Sequence, residues 1–286
     1  MKPKWPVHGW LGAALIAIFW ALNWGLVGLR THWGFFPLWL GYILLVDALV
    51  LYRKGNSLLS RSPRTFASLF LISAPAWWLF ELFNYRTQNW IYLGSEFFTN
   101  LEYTLLASLS FSTVMPAVFV SAELIGTFDW VSERRMGRRW VLSPRALFLT
   151  GAVMLAALLA WPGWFFPFVW LSVVFLLEPL NARLGNPTLS AYLASSDWRP
   201  LIALGLGGLL CGFFWELWNY FSYPKWVYHV PLFDFGHIFE MPILGYGGYI
   251  PFAWELWALY QLVRGVSSKN GSFDAVILFD QPHTAI

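Results

Sequence analysis

Eight apolar runs, each close to the length that crosses a bilayer, restrict what this chain can fold into. A helix needs about 20 apolar residues to span a hydrocarbon core of about 30 Å. The runs are Trp10–Leu29, Phe35–Leu51, Thr65–Phe83, Tyr103–Ile125, Ala146–Trp164, Phe165–Leu180, Leu201–Leu217 and Ile243–Val263. In hydrocarbon every backbone N–H and C=O must find a partner within the protein, so such runs predict helices. The fifth and sixth nearly touch at Trp161-Pro162-Gly163-Trp164, which reads as a tight turn. The expected fold is an all-α, polytopic transmembrane helical bundle of about eight spans.

Composition agrees. Of 286 residues, 58% are hydrophobic and 12% charged, against about a quarter charged in soluble domains. Lipid covers that much apolar surface; water does not. A net charge of +3 with pI near 9.0 therefore reads as a topology signal, and nucleic acid is not an expected partner. Fifteen of the 18 Lys and Arg residues, including Lys4, Arg53, Arg61, Arg139 and Arg199, fall on one side of the eight-span arrangement; only Arg30, Arg86 and Lys225 fall on the other. The positive-inside bias places the rich side, and with it both termini, in the cytoplasm of a cell bounded by an inner (plasma) membrane. Arg134-Arg135-Met136-Gly137-Arg138-Arg139 is a topology determinant that also contacts anionic lipid. The first run lacks a small-x-small cleavage site and is read as an uncleaved span. Cys211 lies inside an apolar run and is read as a small packing residue.

The halves resemble each other. Glu81-Leu82-Phe83-Asn84-Tyr85 matches Glu216-Leu217-Trp218-Asn219-Tyr220, and Trp90-Ile91-Tyr92 matches Trp226-Val227-Tyr228. Arg64 matches Arg199, Phe35-Phe36-Pro37 matches Phe165-Phe166-Pro167, Asp47 matches Glu178, and Pro116 matches Pro251. This divides the chain into a four-helix repeat over 1–135, a second over 136–266, and a polar tail over 267–286. Four spans per half make the repeats parallel, related by a pseudo-two-fold axis along the membrane normal.

Intramembrane carboxylates are costly and face the bundle interior. Glu81 and Glu216 lie at the outer ends of the third and seventh spans, each with an amide (Asn84, Asn219) three residues on and on the same face. Two readings stand: a helix-end network that locks the repeats together, or a site in the outer half of the membrane. The aromatic neighbours Trp77, Trp78, Phe80, Tyr85, Trp215, Trp218 and Tyr220 favour a site. Glu123 and Glu255 form a deeper pair, read either as a proton path or, for Glu123, as reaching the cytoplasmic interface. Asp47 and Glu178 are expected to pair with Arg53 and Arg183. His229, Asp234, His237 and Glu240 offer metal-ligand chemistry without a recognised spacing, and Glu102 stands in the first half where His237 falls in the second. The expected metal and cofactor content is none. No Walker loop, dinucleotide fingerprint, HExxH motif or nucleophile elbow occurs.

One half thus reads Trp215-Glu216-x-Trp218, Trp226-Val227-Tyr228, then Glu240-Met241-Pro242. This resembles the membrane-bound lycopene cyclases of the heterodimeric or fused type and, more loosely, carotenoid hydratases. The chain departs from the cyclases' Pro-x-Glu-Glu element, since Ile243-Leu244-Gly245 follows Pro242. The resemblance implies a cofactor-independent enzyme that protonates an isoprenoid, carotenoid-like or other long-chain lipid for cyclisation, isomerisation or hydration. Glu81, Asn84, Glu102, Glu216, Asn219 and Glu240 are its catalytic candidates. Trp78, Tyr85, Trp90, Tyr92, Trp215, Trp218, Tyr220, Trp226, Tyr228 and His237 are its substrate-binding candidates. A transporter or a structural subunit of a membrane complex is the alternative.

Overall fold

The computed structural model describes residues 4–133 and 137–267. Each of the eight apolar runs is helical, and the bundle is all-α apart from two short β-pairings. In chain order the elements are α1 (Val7–Gly25), α2 (Thr31–Lys54), α3 (Leu58–Arg61), α4 (Pro63–Thr87), β1 (Trp90–Leu93), α5 (Asn100–Phe111), α6 (Val114–Ile125), α7 (Asp129–Ser132), α8 (Pro144–Ala160), α9 (Pro162–Phe165), α10 (Ser172–Arg183), α11 (Leu189–Ala194), α12 (Arg199–Tyr220), β2 (Lys225–Tyr228), β3 (His237–Ile238), β4 (Met241–Pro242) and α13 (Tyr249–Ser267).

By length and hydropathy, α1, α2, α4, α12 and the continuous pair α5–α6 qualify as membrane-crossing. The segment from Pro162 to Arg183 reaches that length and hydropathy only as a pair of helical pieces, bent by 41°. The expected tight turn at Trp161–Trp164 is instead the start of this segment: α9 leads into a 3₁₀ stretch over Phe166–Trp170, and α10 begins at Ser172. Pro162 opens α9 at a position that needs no ladder bond, and the 41° bend falls at Leu171, between the 3₁₀ stretch and α10. The apolar α8 has 17 residues, about 26 Å of helix.

Polar caps start several helices. Ser62 and Ser143 each accept a bond from the third residue of α4 and α8, whose first residues are Pro63 and Pro144. Close backbone contact needs glycine at Gly207 of α12: a Cβ there would lie 2.6 Å from the backbone N of Ala122 on α6. The core beside this crossing is aromatic, with Trp39, Phe80, Phe119, Trp257 and Tyr260 fully buried.

Asp47 and Glu178 are paired otherwise than expected. Asp47 accepts from Ser57 Oγ (2.7 Å) and the backbone N–H of Leu59 (3.0 Å), at the start of α3, and lies 3.2 Å from His8 Nε2. Glu178 accepts from the N–H groups of Leu189 (2.9 Å) and Ser190 (2.7 Å), at the start of α11. Matched acids thus cap matched short helices, satisfying their free N–H groups. Arg53 bonds Thr127 instead. Glu123 pairs with Arg61, while Glu255 accepts from the N–H groups of Val173 and Val174 at the start of α10. Arg134, Arg135, Met136 and the tail beyond Ser267 lie outside the described residues.

Candidate functional site

The two Trp-x-Tyr motifs pair with each other. β1 and β2 form an antiparallel ribbon in the register Trp90↔Tyr228 and Tyr92↔Trp226. Side chains alternate across a strand, so these four rings share one face, while Ile91 and Val227 share the other.

An asparagine anchors each strand. Asn84 Nδ2 donates to the carbonyl of Trp90 (2.8 Å), and its Oδ1 accepts from the N–H of Trp90 (3.2 Å) and of Asn89 (2.9 Å). Asn219 Nδ2 donates to the carbonyl of Trp226 (2.7 Å), and its Oδ1 accepts from that residue's N–H (3.0 Å). Both amides bond the strand backbone through nitrogen and oxygen alike, which positions the ribbon.

Each carboxylate collects donors from the same rings. Glu81 Oε1 accepts from Trp77 Nε1 (2.8 Å), Trp90 Nε1 (3.0 Å) and the Tyr92 hydroxyl (2.6 Å). Glu216 Oε1 accepts from the hydroxyls of Tyr228 (2.7 Å) and Tyr249 (2.6 Å), and Trp226 Nε1 donates to the Tyr228 oxygen (2.9 Å). Glu216 is fully buried, and its Oε2 has no hydrogen-bond partner among the described residues.

The third donors differ for a steric reason. Trp77 lies four residues before Glu81. The position four before Glu216 is Gly212, where a Cβ would collide with the ring of Tyr249. The missing side chain leaves room for Tyr249, from the start of α13, to reach Glu216. A tryptophan on the same helix serves one carboxylate; a tyrosine from another helix serves the other.

These donors wall a cavity of about 220 Å³. Trp77, Trp90 and Tyr92 line it on the Glu81 side, and Trp226, Tyr228 and Tyr249 on the Glu216 side. The rest of the wall is mostly apolar, including Phe111, Trp170, Trp215, Val230 and Phe252. Trp215 stacks on Tyr249 (5.9 Å between centroids), and Trp90 on Trp170 (6.0 Å). Neither carboxylate lies in the wall; each stands behind its phenols. Burial, and then the adjacent carboxylate, raise the Tyr92 and Tyr228 phenols well above their ordinary value near 10. Both stay protonated and able to donate.

Of the other sequence candidates, Trp215 alone joins the wall. Trp78 donates to Ser108 Oγ (2.9 Å), and Trp218 packs on Trp20, Trp39 and Tyr42. Tyr85 is 83% exposed, and Tyr220 packs on Phe221 and Phe239. Glu102 is exposed and closes a capping box with Thr99. Glu240 pairs with Lys225, itself a wall residue, and His237 bonds Asp234 (2.8 Å). Among the described residues no three metal-ligating side chains gather. The residues that sequence reasoning missed are Tyr249, Trp170 and Phe252. Gly212 at the position of Trp77 was the signal for Tyr249.

Compared with models of protein families, with curated proteins and with solved structures, the chain finds no match.

Proposed function

We propose that this protein is an integral membrane enzyme that acts on the end group of an isoprenoid-like or other long apolar lipid by acid–base chemistry. The observation that carries this reading is the aromatic cavity with a carboxylate–phenol pair on either side. Pockets for drug-sized ligands run to about 300–1,000 Å³, so about 220 Å³ suits one end of a long lipid rather than its whole length.

The phenols of Tyr92, Tyr228 and Tyr249 touch the substrate; behind them Glu216 supplies the proton and Glu81 receives it. A proton passes from the Glu216 pair through a phenol oxygen to one alkene carbon. The electrons of the double bond form the new C–H bond, and positive charge develops on the more substituted carbon. The faces of Trp77, Trp90, Trp170 and Trp215 stabilise that charge by about 0.5–2 kcal/mol each. Loss of a proton from a neighbouring carbon to the Glu81 pair gives an isomerised neutral lipid. Attack by a second alkene before that loss closes a ring, and attack by water gives an alcohol. The proton returns between turnovers, and no redox partner is required.

The eight apolar helices are read as eight crossings in two parallel halves, with the ribbon on the outer side of a plasma membrane. The duplicated amide–ribbon and phenol–carboxylate bonds support the duplication. Transport is less well supported, because Glu123 and Glu255 lie outside the cavity wall and are engaged elsewhere.

The test is expression in hosts that make acyclic carotenoids or polyprenyl lipids. A new lipid is expected with the wild type, reduced roughly 10²–10⁴-fold by Glu216→Gln. Identical lipid profiles for wild type and Glu216→Gln in both kinds of host overturn the reading.

A further inference from the structure

Residues 229–248 join the ribbon to α13, and the two sides of this segment meet different surroundings. Val230, Met241 and Gly245 line the cavity. On the other side Leu232, Phe235, Ile238 and Leu244 are exposed, by 42–58%. Exposed large apolar side chains gathered on one short segment mark an interaction face.

Its depth follows from α12. The Phe239 ring packs on Phe213 (5.9 Å between centroids) and on Tyr220 (5.6 Å). Those residues are seven apart on a membrane-crossing helix, about 10 Å of rise. The segment therefore lies alongside the last two turns of α12, not beyond its end. Phe213 is itself exposed, so the apolar patch continues the lipid-facing side of α12. Phe233 docks similarly on Phe166 (6.4 Å). Leu232 and Phe239 have φ of 70° and 58°, left-handed values that bulky residues rarely adopt; for Phe239 the two ring contacts hold this conformation. The exposed polar pair His237–Asp234 satisfies itself, as suits headgroup depth.

We propose that residues 229–244 form a bilayer-embedded flap. Its outer side lies in the acyl–headgroup region of the leaflet at the ribbon end, its inner side walls the cavity, and apolar lipid enters past it. The depth of the flap stands on packing alone; the entry route rests on reading the cavity as a lipid site.

Both parts are testable without an activity assay. Cys211 is fully buried, so in the folded protein a thiol-reactive fluorophore marks only an introduced cysteine. Phe235→Cys is labelled in phosphatidylcholine vesicles, with Leu244→Cys as the second variant should the first fail to fold. A nitroxide at acyl carbon 5 is expected to quench the label at least twofold more than aqueous iodide does. Quenching by iodide as for free dye, without nitroxide quenching, overturns the flap. So does shielding from both quenchers that disappears on dilution, which means that a second copy covers this face. In a parallel sample a phospholipid with a diazirine in its acyl chain is photolysed. Adducts on Met241 support entry past the flap; adducts confined to its exposed side overturn entry while leaving the embedded flap in place.

Discussion

A single hydrogen atom at position 212 decides how the second carboxylate is served. Gly212 leaves the space that the Tyr249 ring fills, and Tyr249 completes the donor set of Glu216. Gly212→Ala is expected to push Tyr249 aside and to destabilise the protein by about 1–3 kcal/mol through overpacking. Tyr249→Phe removes the same hydrogen bond without the collision and costs about 0.5–1.5 kcal/mol, the net worth of a bond to an uncharged carboxyl. Buried Cys211 provides the readout, since a thiol-reactive dye reports unfolding as a shift in melting temperature. A larger loss of activity in Gly212→Ala than in Tyr249→Phe is the expected ranking, because alanine also alters the cavity wall. The duplication made Glu81, Asn84, Trp90 and Tyr92 and their partners legible as a set. Tyr249 was hidden because it breaks the repeat: its role falls to Trp77 in the other half.

At the scale of elements, an amide anchors each strand of the ribbon to the helix before it. Asn219→Leu takes the side-chain partner from the backbone N–H and C=O of Trp226 and is expected to cost about 2 kcal/mol, the low end of about 1–3 kcal/mol for each of the two part-buried groups. Asn219→Asp keeps the acceptor and loses only the donor, so its melting temperature is expected to fall less. The amides were thereby legible as functional neighbours of the carboxylates, but not as purely structural ones. That assignment depends on where the backbone turns after the helix, which spacing does not reveal. The ribbon also carries a pH signature. Tyr92 and Tyr228 have folded pKa values raised above the unfolded value near 10, so their contribution is fully present below pH 10. Above it the unfolded chain loses protons that the folded protein keeps, and stability falls by about 1.4 kcal/mol per pH unit per phenol. Denaturant titration between pH 9 and 11 is expected to show this fall, and Tyr92→Phe with Tyr228→Phe to make it shallower.

For the whole molecule, apolar run length predicted every long helix, because hydrocarbon forces each backbone group to pair internally. The broken sixth segment was less legible: Trp161-Pro162-Gly163-Trp164 read as a turn between two spans, while helical structure resumes at Pro162 and the bend comes at Leu171, between the 3₁₀ stretch and α10. The acids at the arginine-rich end were also misassigned. Sequence proximity suggested Asp47 with Arg53, yet the free N–H groups at the start of α3 hold it. The buried ion pair Arg61–Glu123 ties α3 to α6. Arg61→Met leaves Glu123 buried without its partner and is expected to cost about 3–5 kcal/mol, read in detergent by the Cys211 dye. Lipid chemistry at the ribbon end is expected to survive at permissive temperature, since Glu123 is not part of the cavity.

In the proposed reaction Glu216 exchanges a proton with lipid through phenols in the cavity wall, and deuterium transfer follows that proton. Purified protein in lipid nanodiscs is incubated in heavy water with an acyclic polyene lipid, and the recovered lipid is weighed by mass spectrometry. Deuterium on carbon is expected in wild-type samples, with a loss of roughly 10²-fold or more in Glu216→Gln and Tyr249→Phe intermediate. Deuterium incorporation unchanged in Glu216→Gln, or absent with the wild type for every acyclic isoprenoid lipid offered, would contradict it.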